Sequence, residues 1–598
     1  MRLHRLDISG FKRLKKLTIE FGDATFLIGP NNSGKSSALQ AIGYLLSDTK
    51  QLDQACFYSE ADDSGAVVVN CDTVVLEAEI RDVPIDAQFW RGFKGRVFSY
   101  DPGETGETGK RLFYRKTFPL GKAVVVEIKS LSRTIKPEFA AAKTAQELLD
   151  AGADLAAVEE QFPDPTVKLN AKEKERLELI DDLWDISSEE IWHRNPGGIA
   201  GVVLSRLPNF LLIPAESSCS DIEKSNGPLM QTLQELFSDV RAESQNYATA
   251  QDCLEKLAKE LDPDDEDSEF GKMMAELNKV LGGVFSEAQL HATASLSGPE
   301  ALKPAFTVEM SSNIRTSSAH QGTGMVRAAV FGLLRFRQHW LRKRAGTEHR
   351  SLIIGFEEPE IYLHPSAANQ MRDMIYELSG DRSQIIATTH SPYLIDLSRK
   401  PRQVLNRFYF GDGASESYAF SVTEKYRGLQ SDDKNHIKML LKLDDHVARI
   451  FFTKKVIIVE GDTEEVVLRE AIRRLPSDRR HKLISSTEVI RARGKSTIIS
   501  LCRYLNALGV SYFVIHDRDA DVEGAARFNP LIASAAGGPD KVLQLQECME
   551  DLLGYPPPSS EKPFQAFKHC STWGPDWESV PAGVRSLVEL AFSPYTIS

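Results

Sequence analysis

The feature that most constrains this chain is a phosphate-binding loop near its start whose acidic counterpart lies far along the sequence. Phe26-Leu27-Ile28 reads as a short apolar strand, Gly29-Pro30-Asn31-Asn32-Ser33-Gly34-Lys35-Ser36-Ser37 follows it, and Ala38 to Leu46 reads as a helix. The spacing G-x-x-x-x-G-K-S has chemical meaning only in such a strand–loop–helix context. There the glycines let the backbone N–H groups of the Asn31–Ser37 loop face phosphate, and the helix N-terminus adds partial positive charge. Lys35 reaches the outer phosphates and Ser36 holds Mg²⁺.

The other half of such a site reads from Ser351-Leu-Ile-Ile-Gly-Phe356, a buried-strand pattern that ends in Glu357-Glu358-Pro359-Glu360. An acid at a strand end can hold the Mg²⁺ water shell, here Glu357, and its neighbour, Glu358, can orient attacking water. A further strand, Gln384 to Thr389, delivers His390 to the place where a histidine reaches a γ-phosphate.

These residues resemble the ABC-type ATPase heads of the SMC and RecF-like group, whose Walker halves are split by a long insertion. In that group a signature segment between the halves completes the ATP site of a second protomer, which implies a homodimer or a higher homo-oligomer. His320-Gln-Gly322-Thr-Gly324-Met-Val-Arg327 is the candidate, with Gly322 and Gly324 beside the start of an amphipathic helix (Val330, Leu333, Leu334). It departs from the usual LSGGQ wording, and an ordinary glycine loop is the other reading.

Downstream, a second constellation appears. Val456–Val459 reads as a strand that ends in Glu460-Gly461, Glu464 falls where a helix begins, and Tyr512–Ile515 is a strand leading to His516-Asp517-Arg518-Asp519. Four hard carboxylates at two strand ends and a helix start suit Mg²⁺ or Mn²⁺. Two such ions roughly 4 Å apart stabilise the attacking and leaving oxygens of a phosphodiester.

That pattern resembles a Toprim domain, and with Glu464 and the upstream head it resembles the overcoming-lysogenization-defect (OLD) family of ATP-dependent nucleases. The resemblance implies catalytic or metal roles for Glu460, Glu464, Asp517 and Asp519, alongside Glu358 and His390 in the head. A lysine in a Lys-Pro context near the metals is also implied. Glu561-Lys562-Pro563-Phe564 matches it, with Lys568 as the alternative. Arg491-Ala-Arg493-Gly-Lys495-Ser496 echoes a phosphate loop without its first glycine; Arg491, Arg493 and Lys495 are candidate DNA-backbone contacts, against a solvated loop.

Length and charge bound the rest. A chain of 598 residues with 42% hydrophobic and 26% charged residues is an ordinary globular composition. Its net charge of −13 argues against a blanket electrostatic DNA binder, so DNA would meet local basic patches and bridging metal ions. Seven cysteines without a CxxC indicate neither a disulfide framework nor a zinc knuckle. With no apolar run long enough for a bilayer and no signal-peptide pattern at Met1, the expected location is cytoplasmic, with no membrane contact.

The expected fold is α/β: residues 1–137 and 196–445 form the two parts of an ABC-type P-loop head, 138–195 a helical insertion, and 446–598 a C-terminal Toprim domain. The insertion is rich in Ala, Glu, Lys and Leu and reads as a dimer arm or a solvated hairpin. Asp101–Gly109 reads as a hairpin tip or flexible loop, and Asp262–Glu269 as an exposed acidic loop. The expected function is an ATP-binding, Mg²⁺- or Mn²⁺-dependent DNA endonuclease, either nickase or double-strand cutter. The OLD resemblance adds anti-phage defence, alone or beside a helicase, reverse transcriptase or retron. The alternative is a RecF/SMC-like repair ATPase whose Toprim region binds DNA without cutting.

Overall fold

The computed structural model describes residues 1–215 and 350–594, apart from 62–66, 104–105, 170–172, 178–179, 197–200, 362–364, 381–382, 397–398, 400, 412–413, 422–424, 427, 444 and 520–522. Between 216 and 349 it describes scattered residues, among them 309–311, 315–317 and 329–337. The chain divides into one unit of Met1–Ala215 with Thr347–Ser598 and a second of Glu216–Gly346.

The first unit opens with an antiparallel sheet in the order Trp184–Arg194, Val125–Ile135, Lys110–Pro119, Thr73–Arg81, Arg2–Phe11, Leu14–Glu20. Strict alternation makes it one-sided: Val74, Leu76, Ala78 and Ile80 are buried while their neighbours face outward. The Phe98–Ser99 strand pairs with Lys110–Pro119, so the Asp101–Gly109 segment caps a hairpin.

A second sheet runs Asn209–Ile213, Leu352–Glu357, Ser383–Thr388, Ala24–Ile28, Gln403–Gly411, Ala414–Ser421. Its first five strands are parallel and the last is antiparallel. Every residue of Ser383–Thr388 is buried, as expected of parallel strands covered on both faces. The helix Lys35–Leu46 supplies Leu39, Ile42 and Leu45 to a core that also holds Leu76, Ile353 and Ile386, so the two sheets share one apolar interior.

The expectation of a helical insertion over 138–195 needs correction at its end. Helices Ala145–Asp150, Leu155–Gln161 and Lys174–Leu177 are present and close a small core around Phe139, Leu148, Val158 and Phe162. Thr144 caps the first, its hydroxyl accepting from the Glu147 amide. Trp184–Arg194, however, is a strand paired to Val125–Ile135. It lies at the sheet edge and is exposed along most of its length, so its sequence lacks the alternation that would betray it.

The C-terminal sheet is parallel, in the order Thr487–Arg491, Lys455–Val459, Ser511–His516, Val542–Gln544. The helix Ser431–Leu443, placed in the head by the expected boundary at 445/446, packs on the helix Lys495–Leu508 of the C-terminal sheet's layer. Asp433, at 4% exposure, accepts from Ser500 Oγ (2.7 Å) and pairs with Arg503 (3.0 Å). In the second unit, 329–337 is helical with Val330, Phe331 and Leu334 buried. The signature candidate with Gly322 and Gly324 lies outside the described residues, as does the acidic run except Ser268. Among the described residues, no helix is long and apolar enough to cross a membrane.

Candidate ATP and metal sites

Three parallel strands bring the ATP-site residues to one edge. The P-loop strand Ala24–Ile28 neighbours Ser383–Thr388, which neighbours Leu352–Glu357. Their C-terminal ends therefore release Gly29, His390 and Glu358 side by side, where open α/β sheets bind ligands. The resulting cleft of about 510 Å³ is lined by Asn31, Asn32, Ser33, Gly34, Lys35, Ser36 and Ser37, with Arg13, Glu358 and His390. Glycine is required at Gly29, where φ is +146° and a Cβ would sit 2.4 Å from Phe408 O. At Gly34 φ is +96°, and a Cβ would meet Leu14 at 2.5 Å.

Lys35 Nζ donates to Gly29 O (3.1 Å) and Pro30 O (2.9 Å). Burial lowers its pKa to about 8, opposed by the charges of Glu358 and Glu360. Glu358 has a φ of +43°, and its amide donates to both Thr388 O and Thr388 Oγ1 at 3.1 Å. Its Oε1 lies 3.6 Å from His390 Nε2. Burial, then the Lys35 charge, lowers the His390 pKa, favouring neutral imidazole. Glu357 ends its strand, with Oε2 3.4 Å from the Ala215 amide, and does not line the cleft.

Two contributors escaped the sequence reading. Glu360 Oε1 accepts from Thr389 Oγ1 (2.6 Å), His390 N (3.1 Å) and Ser391 N (3.2 Å). Its place two residues after Glu358 was the available signal. Arg13, in the turn between the first two strands, reaches 3.4 Å from Asn32 O, and nothing local marks it.

The acids of the second constellation also converge. Glu460 follows Lys455–Val459, Glu464 lies in the first turn of helix Asp462–Arg473, and Asp517 and Asp519 follow Ser511–His516. The Asp517 amide donates to Glu460 Oε2 (3.3 Å), and the Gly461 amide to Glu464 Oε2 (2.8 Å). Burial pushes Asp517 up to about 8, reinforced by the charges of Glu464, Glu460, Asp519 and Glu550. Burial likewise raises Glu460 to about 7, against the Lys495 charge. Glu464 is raised by burial and by Glu550.

Glu550, in helix Met549–Leu553, is thus a fifth acid of the group. It is 2% exposed, and its Oε1 and Asp517 Oδ1 are buried with no hydrogen-bond partner. Orphaned buried carboxylate oxygens amid mutually repelling acids fit hard divalent cations. As placed, no three acids, histidines or cysteines among the described residues stand close enough to hold one ion.

Residues 1–395 match the AAA ATPase domain family, and residues 451–519 match the Toprim domain described as overcoming lysogenization defect protein-like. The chain belongs to the AAA ATPase domain family and carries an OLD-like Toprim domain. It is similar to the Old nuclease of Escherichia phage P2, at 21% identity over 87% of this chain and 77% of that protein. It is also similar to the OLD nuclease of Thermus scotoductus, at 24% identity over 98% of each. Among solved structures, an Smc head bound to the C-winged helix domain of ScpA matches 71% of this chain and 100% of its own. The identity is 12% and the TM-score 0.36.

The three basic residues read as DNA contacts in this OLD-like domain part company. Arg493 is exposed, with a φ of +59°. Arg491 is engaged by Asp462 (2.7 Å) and Glu465 (2.8 Å) on the helix behind it. Lys495 points inward: its side chain is 2% exposed and pairs with Asp519 Oδ2 at 2.8 Å. Burial follows from its position as first residue of the helix Lys495–Leu508, packed behind the acidic loop. Lys562 opens helix Lys562–Cys570 and is exposed, and its charge acts on Glu464. Lys568 sits over the Phe564 ring instead.

Proposed function

We propose that this chain is an ATP-regulated, divalent-metal-dependent DNA endonuclease that works as a homodimer or larger homo-oligomer in defence against phage. The observation that carries the reading is the buried acidic group around Asp517, with its unpartnered Oδ1, on the same chain as a complete P-loop cleft. A module that only binds DNA need not retain five mutually repelling carboxylates, whereas metal-assisted phosphodiester cleavage uses such a set.

In the head, Lys35 and the Asn31–Ser37 amides bind and orient the triphosphate, Glu358 accepts a proton from water, and neutral His390 reads the terminal phosphate. Ser36 would hold Mg²⁺ there, while Glu357, at the strand end outside the cleft lining, would act on the ion only through its water shell. In the Toprim domain, Glu460, Glu464, Asp517, Asp519 and Glu550 would hold Mg²⁺ or Mn²⁺. When bound, such ions supply a nucleophile at neutral pH and neutralise charge on the phosphate. Lys562 adds a cation at the rim, and Arg493 offers a contact to the DNA backbone. The oligomer follows from the family resemblance, in which a second copy's signature segment completes the ATP site. Defence, and a neighbouring helicase, reverse transcriptase or retron as partner, rest on that resemblance too, and a cytoplasmic site of action accords with it.

One observation favours the second reading, a repair ATPase that holds DNA without cutting: Lys495 occupies Asp519 and the ligand set is not closed. Plasmid cleavage with Mg²⁺ or Mn²⁺, with and without ATP, decides between them. Relaxed or linear product from the wild type and none from Asp517→Ala supports the endonuclease and identifies nick or double-strand cut. Uncut plasmid under every condition promotes the clamp.

A further inference from the structure

Lys495 is the cation most deeply built into the acidic group, and its surroundings give it no outlet to solvent. Besides the 2.8 Å pair with Asp519, its Nζ donates to Asn529 Oδ1 at 3.1 Å and to Arg518 O at 3.3 Å. The three donors of an ammonium are thereby used, and all three acceptors belong to the Asp519 loop or to the start of the helix Asn529–Ala536 behind it. Asn529 Nδ2 in turn donates to Arg518 O (2.8 Å), closing a small network under the loop. Asp519 has a φ of +50° in this arrangement, a backbone state an aspartate tolerates at some cost. Glu460 also feels Lys495, whose charge is the first influence opposing its burial.

We propose that Lys495 is an internal counter-cation of the nuclease site, which holds Asp519 in the metal-free chain and must be displaced from it when a divalent ion binds. This rests on reading the acids as a metal site, and it adds regulation to that site. A lone ammonium neutralises one of the mutually repelling carboxylates, so the metal-free fold is less costly than five bare acids would be. The same ammonium competes with the incoming ion for Asp519 and weakens apparent metal affinity by the population it holds. The site is then quiet until the divalent concentration, or a change relayed through the helix Lys495–Leu508, overcomes the pair.

The test is Mn²⁺ binding to the full-length, nucleotide-free chain, read by electron paramagnetic resonance of free Mn²⁺, with Asp517→Ala as the blank. Lys495→Met and Lys495→Gln should each bind Mn²⁺ about tenfold more tightly than wild type, the size of a moderate charge–charge effect in a partly buried site. Both should melt lower than wild type in EDTA, and saturating Mn²⁺ should close the gap. Lys495→Arg, which keeps the charge, should bind like wild type. In an Asp519→Asn background, Lys495→Met should no longer change Mn²⁺ affinity. Unchanged or weaker Mn²⁺ binding by both neutral variants would overturn the proposal, as would tightening by Lys495→Met but not Lys495→Gln, which would assign the effect to packing. No Asp517-dependent binding in the wild type would instead overturn the metal-site reading on which it rests.

Discussion

Glu360 holds His390 in place: its Oε1 accepts the His390 amide at 3.1 Å, with the Thr389 hydroxyl and Ser391 amide bound to the same oxygen. The loop after one parallel strand is therefore the template for the loop after the next. Glu360→Ala removes all three acceptor contacts while leaving every residue that lines the cleft unaltered. ATP turnover should fall roughly 10–100-fold, as for loss of a supporting contact behind a catalytic group, with nucleotide affinity nearly unchanged. Glu360→Gln, which keeps an acceptor oxygen, should retain most activity. Steady-state hydrolysis beside fluorescent-nucleotide binding checks this, and wild-type turnover in Glu360→Ala refutes it.

If the Lys35 ammonium held at the loop carbonyls is the outer-phosphate cation, Lys35→Ala should abolish tight ATP binding. Glu358→Gln should bind ATP and hydrolyse it slowly, trapping a larger species in light scattering. Rapid turnover by Glu358→Gln would assign the base elsewhere.

Asp517→Ala or Glu460→Ala should lower plasmid cleavage by about 10³-fold or more, the scale of a deleted main electrostatic contribution. ATP hydrolysis without DNA should stay at the wild-type rate. Glu550→Ala should cut cleavage by roughly 10–100-fold. A Glu550→Ala enzyme that cuts normally would leave Glu550 as packing only.

In EDTA, stability should fall as pH rises. Folded Asp517 and Glu460 keep their protons up to about 8 and about 7, whereas the unfolded groups lose theirs near pH 4. Between those limits the folded chain binds more protons than the unfolded one, so the contribution is full below about pH 4 and lost toward pH 8. Melting temperature in EDTA should decline across this window, and Asp517→Asn should flatten the decline. Mn²⁺ affinity should climb over the same range, because ligands must shed protons to bind. A flat melting profile for the wild type would contradict the burial of these acids.

Ile135 and Trp184 are direct partners across the antiparallel pair that brackets the insertion. Deleting 136–183 and joining them by an Asn-Gly turn should leave the sheet intact. If the small core around Leu148 and Phe162 is the dimer arm, the deletion should weaken self-association by light scattering without lowering the melting temperature by more than a few degrees. An undiminished oligomer would move the contact elsewhere.

The sequence by itself located the two candidate sites, because each depends on residues a few positions apart on a strand end, a loop or a helix start. Gly29–Ser37, Glu357-Glu358, His390, Glu460, Glu464 and Asp517–Asp519 are all of that kind, and the strand contexts that carry them are as their apolar runs imply. The exposed edge strand Trp184–Arg194 stayed hidden because a strand open on both faces shows no alternation. Only the tertiary structure decided that Glu550 joins the acids, that Glu360 braces His390, that Arg13 reaches the cleft, and that Lys495 turns inward to Asp519 while Arg493 stays in solvent. Proximity and burial across distant segments set those roles, and both are properties of the path of the folded chain, which a local pattern of residues does not contain.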